Sequence, residues 1–540
     1  MTGSVDVTPR LATDADVEAV RDLFVSVYGH DYPFQDFYDT SWLKAAVFDE
    51  ATLFLVTDGD EGISGAVSVM LTAGNLSDQI GEFGRLVVHS SARKQRLATR
   101  LVDSTLRRVS SVIQFGFAEA LTRTTASQKV FEGLGFCAIG FEPFKYRLRE
   151  RASVVMYGRV FGQASDLRRN HPRLIPEVAP LAMNTLERMG FVQDVVISDD
   201  DVGYPISQEP AGLQVEDLSE DGWSPLLRIE RGRVKGREVF GNLSLTHGLL
   251  KIKTKSTRYL MARQGGLVVG GLGFTHDPVD QKVRIFELIG IDDTVRGSLL
   301  SRAERIATEE LNALYVEADV NAYSPGIQRT LERMGFMAVA YCPSMVFQEV
   351  ERLDVIRMAK LNAAYCREEI ALTESAAKVR DLVEHSMRDR QQGSVVAMVA
   401  RNTNLFRNLD EADIYHLARL GRIRKIARDE RLIRQGEAGD RLFISVSGLM
   451  GVFVGDKELR KVEPGETIGE MAILNKMPRS ANIVVLQPGE VVEISHSDLL
   501  WLMDKRPRLG AAVMRNLAAD LAEKLRKADP LLVDSHDAPA

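Results

Sequence analysis

The hexapeptide Leu-Glu-Arg-Met-Gly-Phe occurs twice, at Leu186–Phe191 and at Leu331–Phe336, and a looser copy, Phe-Glu-Gly-Leu-Gly-Phe, stands at Phe131–Phe136. Each copy closes a helix-like stretch and precedes an apolar one, at Cys137–Phe141, Val192–Ile197 and Met337–Tyr341. A glycine just past a helix end supplies the left-handed residue that the chain reversal needs, and the next phenylalanine starts a strand in the core. One copy is a common helix-stop-strand device; copies with similar flanks point to a duplicated domain. Residues 1 to about 150 read as β-α-α-β-β-β-α-β-α-β, with a helix near Ala15–Tyr28 after Asp14 and strands at Thr52–Thr57, Gly65–Thr72, Glu82–Val88 and Phe115–Leu121. Residues 213–350 repeat the later part of that order, with strands at Arg258–Arg263, Leu267–Thr275, Val283–Ile291 and Ala313–Ala318. Residues 151–212 read as a connector with a strand at Ser153–Phe161, a proline-bearing turn at His171–Pro176 and a helix at Ala182–Gly190.

The rest of the chain has a different texture. Residues 351–400 read as a polar helical linker, in which Ile370, Ala376, Val379, Val383 and Met387 fall on one face at spacings of three and four. That stripe predicts packing against a neighbouring domain. Strands dominate from Arg431 to His496, broken by the glycine-bearing turn Arg434–Asp440 and by Gly448. The fold expected is multidomain α+β: two mixed-sheet α/β domains, the helical linker, a β-barrel domain over 401–530 and a polar tail at 531–540.

Composition narrows the function. A net charge of −7 and a pI near 5.9 over 540 residues argue against a general nucleic-acid binder, and the basic run Arg422–Lys425 reads as a solvated face. Cys137, Cys342 and Cys366 are far apart and odd in number, which fits neither a disulfide framework nor a zinc site and suggests a reducing compartment. The first ten residues carry no apolar core of a signal peptide, and the most apolar stretch, Gly265–Phe274, is too short to span a bilayer. The expectation is a cytoplasmic protein with no metal and no membrane partner.

The segment Pro464–Ala481 reads Pro-Gly-Glu-Thr-Ile-Gly-Glu-Met-Ala-Ile-Leu-Asn-Lys-Met-Pro-Arg-Ser-Ala. A cyclic phosphate is a singly charged diester, best held by a guanidinium fork, which Arg479 can supply. Backbone N–H groups at the start of a short helix near Met471 add donors, Glu470 can accept from a ribose 2′-hydroxyl, and Ser480 adds a hydroxyl. The segment closely resembles the phosphate-binding cassette of the cyclic-nucleotide-binding domains of catabolite activator proteins, cAMP-dependent kinase regulatory subunits and gated channels. Gly469, Glu470, Ala472, Pro478, Arg479, Ser480 and Ala481 match it. The resemblance implies a jelly-roll barrel with Gly469, Glu470, Met471, Ala472, Arg479, Ser480 and Ala481 around the nucleotide. Serine after the arginine implies cAMP, where threonine would lean towards cGMP. It also implies two closing helices, at Ser497–Met503 and Leu509–Lys527, whose Leu517, Leu521 and Leu525 can cap the base or simply pack. No room is left after them for a helix-turn-helix, so no DNA partner is expected.

The first domain resembles the GCN5-related N-acetyltransferases. The opening Thr8–Asp16 looks like that family's first strand and helix start, and Leu86–Ala98 looks like its acetyl-CoA motif, in which Arg93 and Ala98 match while Arg96 stands at the central glycine. That motif aims successive N–H groups at the CoA pyrophosphate. The resemblance thus implies acetyl-CoA as acyl donor at Val87, Val88, Arg93, Lys94, Gln95, Arg96, Leu97, Ala98 and Thr99. Glu119–Lys129 with Leu134–Phe136 matches the family's second half. The family often places a catalytic glutamate on the fourth strand, where Glu82 stands, and a proton-donating tyrosine five residues before the Gly-Phe pair's phenylalanine, where Phe131 stands in the first copy and Leu331 in the second. The second copy, Asp292–Ser301, keeps Arg296 but lacks the motif's glycine and small sixth residue, which makes it a structural or acceptor-binding partner.

Together these resemblances imply a cAMP-regulated N-acyltransferase that moves an acetyl or acyl group from acyl-CoA to an amine. Some bacterial protein lysine acetyltransferases combine the two modules in the opposite order, which implies a protein amine as acceptor. Two alternatives stay open: a non-enzymatic cAMP-responsive scaffold with inactive acyltransferase domains, and a small-molecule N-acetyltransferase.

Overall fold

The computed structural model describes residues 8–533 except 33, 60–61, 74–78, 94, 149, 199–202, 207–209, 233–235, 249–253, 364, 366–369 and 476. Cys366 therefore lies outside the described residues. The chain divides into two compact units, Met1–Glu384 and His385–Ala540.

The first unit is built on a 15-stranded sheet. Its first half supplies β1 (Arg10–Leu11), β2 (Thr52–Gly59), β3 (Gly62–Ala73), β4 (Gln79–Val88), β5 (Phe115–Leu121), β6 (Cys137–Arg147) and β7 (Arg151–Val160). Its second half supplies β8 (Leu213–Asp217), β9 (Val239–Phe240), β10 (Thr257–Gln264), β11 (Leu267–Asp277), β12 (Lys282–Gly290), β13 (Tyr315–Asn321), β14 (Met337–Gln348) and β15 (Glu351–Leu361). The order across the sheet is β1-β2-β3-β4-β5-β7-β6-β14-β15-β13-β12-β11-β10-β8, with β9 beside β13. Read inward from the edges, the two halves repeat one connectivity. Each has a three-strand antiparallel run, one parallel pair (β4 with β5, β12 with β13), then two antiparallel closing strands. The halves meet where Gly140 on β6 pairs with Ala340 on β14. A Cβ on Gly140 would lie 2.3 Å from that of Ala340, so only glycine lets the two strands close.

Helices cover this sheet: α1 (Val17–Tyr28), α2 (Thr40–Phe48), α3 (Leu97–Val109) and α4 (Ala126–Gly133) in the first half, α5 (Ala179–Arg188) after it, then α6 (Glu220–Gly232), α7 (Asp293–Arg305) and α8 (Pro325–Met334). On α1 the buried Val17, Val20, Leu23 and Phe24 form one helical face, and Asp39 caps α2 by accepting from the Ser41 N–H. All three repeat copies close their helices alike. Gly135, Gly190 and Gly335 have φ of 82°, 77° and 110°, and the N–H of Phe136, Phe191 and Phe336 donates to the carbonyl five residues back. Strands follow the first and last copies directly. After Phe191 the chain is irregular and Val192 is exposed, so the middle copy is a helix stop without the strand expected at Val192–Ile197; only Val196–Ile197 pairs, with Arg173–Leu174.

Two expected boundaries move. Arg151–Val160 pairs with both β5 and β6, so it belongs to the first half and not to a connector. Glu351–Leu361, expected to open the helical linker, is a central strand. Its charged residues misled the helical reading. Arg352, Asp354 and Arg357 are all buried, and their partners, Ser344, Arg168 and Asp319 among them, come from elsewhere in the chain.

Arg357 belongs to a buried ion cluster at the junction of the halves. Its guanidinium lies 2.8 Å from Asp319, 3.0 Å from Glu119 and 3.2 Å from Glu142. Lys145 lies 2.7 Å from Glu119, 2.8 Å from Glu142 and 3.3 Å from Glu317. Burial alone would push these carboxyls up, but Lys145 and Arg357 hold Glu119 and Glu317 below the ordinary range, and Arg357 and Arg284 do the same for Asp319. For Glu142 burial wins and its carboxyl is raised.

Helix α9 (Glu374–Ala400) begins in the first unit and ends in the second. Ala376, Val379, Val383 and Met387 are buried as the stripe predicted, whereas Ile370 precedes the helix. The second unit adds α10 (Glu411–Ala418), α11 (Glu470–Asn475), α12 (His496–Lys505) and α13 (Pro507–Val533) to a jelly roll. Its strands run Gly421–Ile426, Asn482–Ser495, Arg441–Val454 and Lys457–Val462 in order, with Arg431–Ile433 and Thr467–Ile468 paired onto them. One core fills the barrel around Phe443, Met450 and Val485; a second joins Val396, Leu405, Leu417, Leu502 and Leu517 among the helices.

Candidate functional sites

A cavity of about 240 Å³ opens in the second unit, lined by Gly469, Glu470, Met471, Ala472, Arg479, Ser480 and Ala481 together with Arg460, Leu521, Lys524 and Leu525. Every cassette residue expected at a ligand is thus brought to one hollow. Gly469 ends the strand Thr467–Ile468 at φ 90°, and a Cβ there would lie 2.3 Å from Arg479 Nη1, so glycine is required twice over. Arg479 donates from Nη1 to the Gly469 carbonyl at 3.1 Å and from Nη2 to the Arg441 carbonyl at 2.6 Å. Among the described residues neutral carbonyls and no carboxylate hold the fork, and burial pulls the guanidinium below its ordinary value against the attraction of Asp440 and Glu470. An anion is the missing complement of such a group.

Glu470 starts α11 and is buried. Its Oε1 lies 2.9 Å from Lys524 Nζ on α13, a residue the sequence reading missed. Of the leucines considered for a cap, Leu521 and Leu525 line the cavity while Leu517 is locked in the helical core. Lys524 sits beside that leucine stripe, four residues after Asp520, and the Asp-Lys spacing was the signal available for it.

In the first half, β4 and β5 pair in parallel only from Ile80–Phe83 to Phe115–Ala118, although β4 continues to Val88 and β5 to Leu121. The strands therefore part beyond Phe83. At the mouth of that opening, α3 begins after Arg96 with no side-chain cap and no acidic residue in its first turn. Val87 is buried at the end of β4 beside Val88; Arg93, Gln95 and Arg96 are exposed; Leu97 is buried, and Ala98 and Thr99 lie in the first turn of α3. Lys94 lies outside the described residues. Arg96 has φ 57° and ψ 18°, the left-handed conformation that explains a glycine at this place in the resembling motif and that costs a side-chain-bearing residue about 1–2 kcal/mol.

Glu82 stands where the strands part, with its carboxylate 2.8 Å from Arg85. Arg85 occupies a bulge at φ 55° and is covered by the Phe34 ring. Phe131 is buried against Phe136 and Tyr157, and offers no proton. Tyr157 donates to Glu132 at 3.0 Å, and burial raises its phenol.

The second half treats the equivalent opening differently. Strands β12 and β13 part after Ile285 and Ala318, but β9 pairs with β13 there, at Val239–Val320 and Phe240–Asp319. Helix α7 is capped by the Asp292 carboxylate, which accepts from the Val295 N–H at 2.9 Å. The backbone of Pro205 packs so closely on α7 that a Cβ on Gly297 would lie 2.2 Å from its carbonyl oxygen. Tyr204 packs against Gly326 on α8, and its N–H donates to Thr330 at 2.7 Å. Arg296, the residue the second copy keeps, is paired with Asp293 at 2.8 Å and Glu238 at 3.6 Å.

Among the described residues no cluster of histidine, cysteine and carboxylate side chains could hold a metal ion, and no helix is long and apolar enough to cross a membrane.

Comparison with known proteins identifies two families along the chain. The acetyltransferase (GNAT) family model matches residues 17–136, and the cyclic nucleotide-binding domain model matches residues 423–506. The chain is 31% identical over 118 residues to the cAMP-dependent protein kinase type II regulatory subunit of Drosophila melanogaster, covering 22% of this chain and 29% of that protein. It is 37% identical over 100 residues to the cyclic AMP receptor protein of Thermus thermophilus, covering 18% of this chain and 44% of that one. The crystal structure of Thermus thermophilus catabolite activator protein aligns at 31% identity with a TM-score of 0.21, over 24% of this chain and 62% of that chain. The chain thus spans less than half the length of these two curated relatives. It carries one GNAT acetyltransferase domain and a cyclic nucleotide-binding domain with a jelly-roll fold.

Proposed function

We propose that this protein is a cAMP-regulated N-acyltransferase. It takes the acyl-CoA on the first half and moves the acyl group to an amine, a protein lysine being the acceptor class favoured by the module combination. The observation that carries the reading is the coexistence on one chain of an uncapped α3 N-terminus beside parting strands and a cassette cavity with its arginine held by two backbone carbonyls. In the reaction the neutral amine nitrogen forms an amide with the acyl carbon and gives up one proton to solvent, the carbon–sulfur bond breaks, and the thiolate of CoA leaves and takes up a proton from solvent. A thiol pKa near about 8.5 makes a protein proton donor helpful and not obligatory, so the absence of a hydroxyl at Phe131 is compatible with turnover.

The second half is read as a degenerate copy of the first, one that takes no acyl-CoA. Support comes from its repeated connectivity, from β9 lying in the opening between its strands, and from the carboxylate of Asp292 standing where a pyrophosphate would meet the helix. An anion there would face that carboxylate and the neighbouring Asp293.

A scaffold without catalysis is the second reading, favoured by the Glu82–Arg85 pair, which engages the carboxylate expected to serve as base. Calorimetric titration of the full chain with acetyl-CoA, with and without cAMP, decides between them. One equivalent of acetyl-CoA, an affinity that responds to cAMP, and acetylation of an amine acceptor support the enzyme. Absence of any acetyl-CoA affinity supports the scaffold.

A further inference from the structure

The stretch that leads into α9 is fastened to α4 of the first half. The Gln128 side-chain amide, fully buried, grips its backbone from both sides: Oε1 accepts from the Thr373 N–H at 3.0 Å and Nε2 donates to the Ala371 carbonyl at 2.7 Å. The Ala371 N–H donates to the Thr122 carbonyl at 2.7 Å, just past the end of β5. One turn further along α4, Glu132 Oε1 accepts from the hydroxyls of Thr373 at 2.6 Å, of Ser375, and of Tyr157. Immediately after this clamp Ala376, Val379 and Val383 on the helix are buried; at its other end Val396 and Ala400 join the core of the second unit.

The elements gripped are those around the opening. β5 is one wall of the parting strands, α4 follows it after four residues, and α4 packs against α3, whose N-terminus faces the mouth. Through α9 the clamped stretch is continuous in the chain with the second unit. An ordinary surface linker would not spend a buried glutamine and a carboxylate accepting three hydroxyls on its attachment.

We propose that Gln128 and Glu132 are the receiving residues of the regulation. They fix residues 371–375 on α4, so that a nucleotide-dependent change at the far end of α9 alters the acyl-CoA opening through α4 and β5. This rests on the regulated-acyltransferase reading above. The ligand shifts the equilibrium only through its differential affinity for the two arrangements, so the clamp is visible as a coupling factor and not as a binding residue.

The test measures acetyl-CoA affinity of the full chain with and without saturating cAMP. In the wild type the ratio is expected within roughly 5- to 150-fold. Glu132→Leu and, separately, Ser375→Ala are expected to bring the ratio towards one, while cAMP affinity measured alone stays within about twofold of wild type. The double variant falls no further than Glu132→Leu, because both changes break one contact. Glu132→Gln, which keeps an acceptor oxygen, retains part of the ratio. Glu132, which is half-buried, and the small side chain of Ser375 are changed because Gln128 is fully buried and its loss threatens folding. Variants that bind both ligands and keep the full wild-type ratio overturn the clamp and leave the regulated enzyme standing. A wild-type ratio of one overturns the regulated reading, and the clamp with it.

Discussion

Lys524, on the last helix, holds its ammonium 2.9 Å from the Glu470 carboxylate in the wall of the nucleotide cavity. The same ammonium lies 2.7 Å from Asp520 and donates to the Thr467 carbonyl at 2.5 Å. Two of its donors go to the Thr467 carbonyl and to Glu470, and Asp520 adds an ion pair, so Lys524 holds the Glu470 carboxylate in place. We expect Lys524→Met to weaken cAMP by about 1–3 kcal/mol and to reduce the preference for cAMP over its 2′-deoxy analogue, with Glu470→Gln doing the same more weakly. Competition binding with the two nucleotides measures both. An unchanged ribose preference in Lys524→Met would mean that Glu470 is positioned without it.

Arg479→Leu removes the fork that donates to the Gly469 and Arg441 carbonyls. The expected loss of cAMP affinity is about 2–5 kcal/mol, the scale for truncating one side of a buried charge pair. Titration calorimetry on the full chain reads it directly. Failure of the wild type to bind cAMP at millimolar concentration would make the cassette vestigial.

Val379 and Val383 are fully buried on the first-unit part of α9. Replacing both by serine puts unpartnered hydroxyls into this buried face of the helix and is expected to reduce the effect of cAMP on acetyl-CoA affinity. Nucleotide affinity itself should stay at the wild-type value, since both residues lie outside the second unit. A parallel loss of cAMP affinity would show that the change damages the whole chain and not the coupling.

Arg357 neutralises carboxylates from both halves at once, Asp319 from the second and Glu119 and Glu142 from the first. Arg357→Met leaves those charges buried without their partner. The expected cost is about 3–5 kcal/mol, read as a lower urea midpoint for the first unit. Both halves should unfold in one transition in the wild type, because the sheet is continuous across Gly140 and Ala340.

The same cluster sets the response to acid. Glu119, Glu317 and Asp319 are held below their ordinary values, so each contributes stability above the unfolded carboxyl range near about 4 that is lost as pH falls through its folded value. Glu142 is raised and has the opposite sign, since the fold favours its protonated form and loses stability as that carboxyl ionises. Three depressed groups against one raised one predict that this cluster's contribution to the stability of the first unit falls below about pH 4. Urea midpoints measured from pH 3 to 7 check this, and Arg357→Met should flatten the slope.

The sequence by itself determined what is local. The cassette residues Gly469–Ala472 and Arg479–Ala481 follow one another through a turn, a short helix and a strand start, so their convergence needed no distant contact to be read. The helix stops at Gly135, Gly190 and Gly335 were legible because a left-handed residue after a helix has a fixed chemical signature. The tertiary structure alone decided what depends on partners far along the chain. Glu351–Leu361 carries arginines and an aspartate that look solvent-facing until Arg168 and Asp319 are placed beside them, and only then does it become a central strand. The opening in the second half looks like a weakened motif in the sequence; that β9 pairs into it from 50 residues upstream of Gly290 is a fact of pairing, which no local pattern encodes. Lys524 and Glu470 are 54 residues apart, and their pairing follows from how α13 lies over the barrel, set by apolar packing around Leu517 and not by either charge.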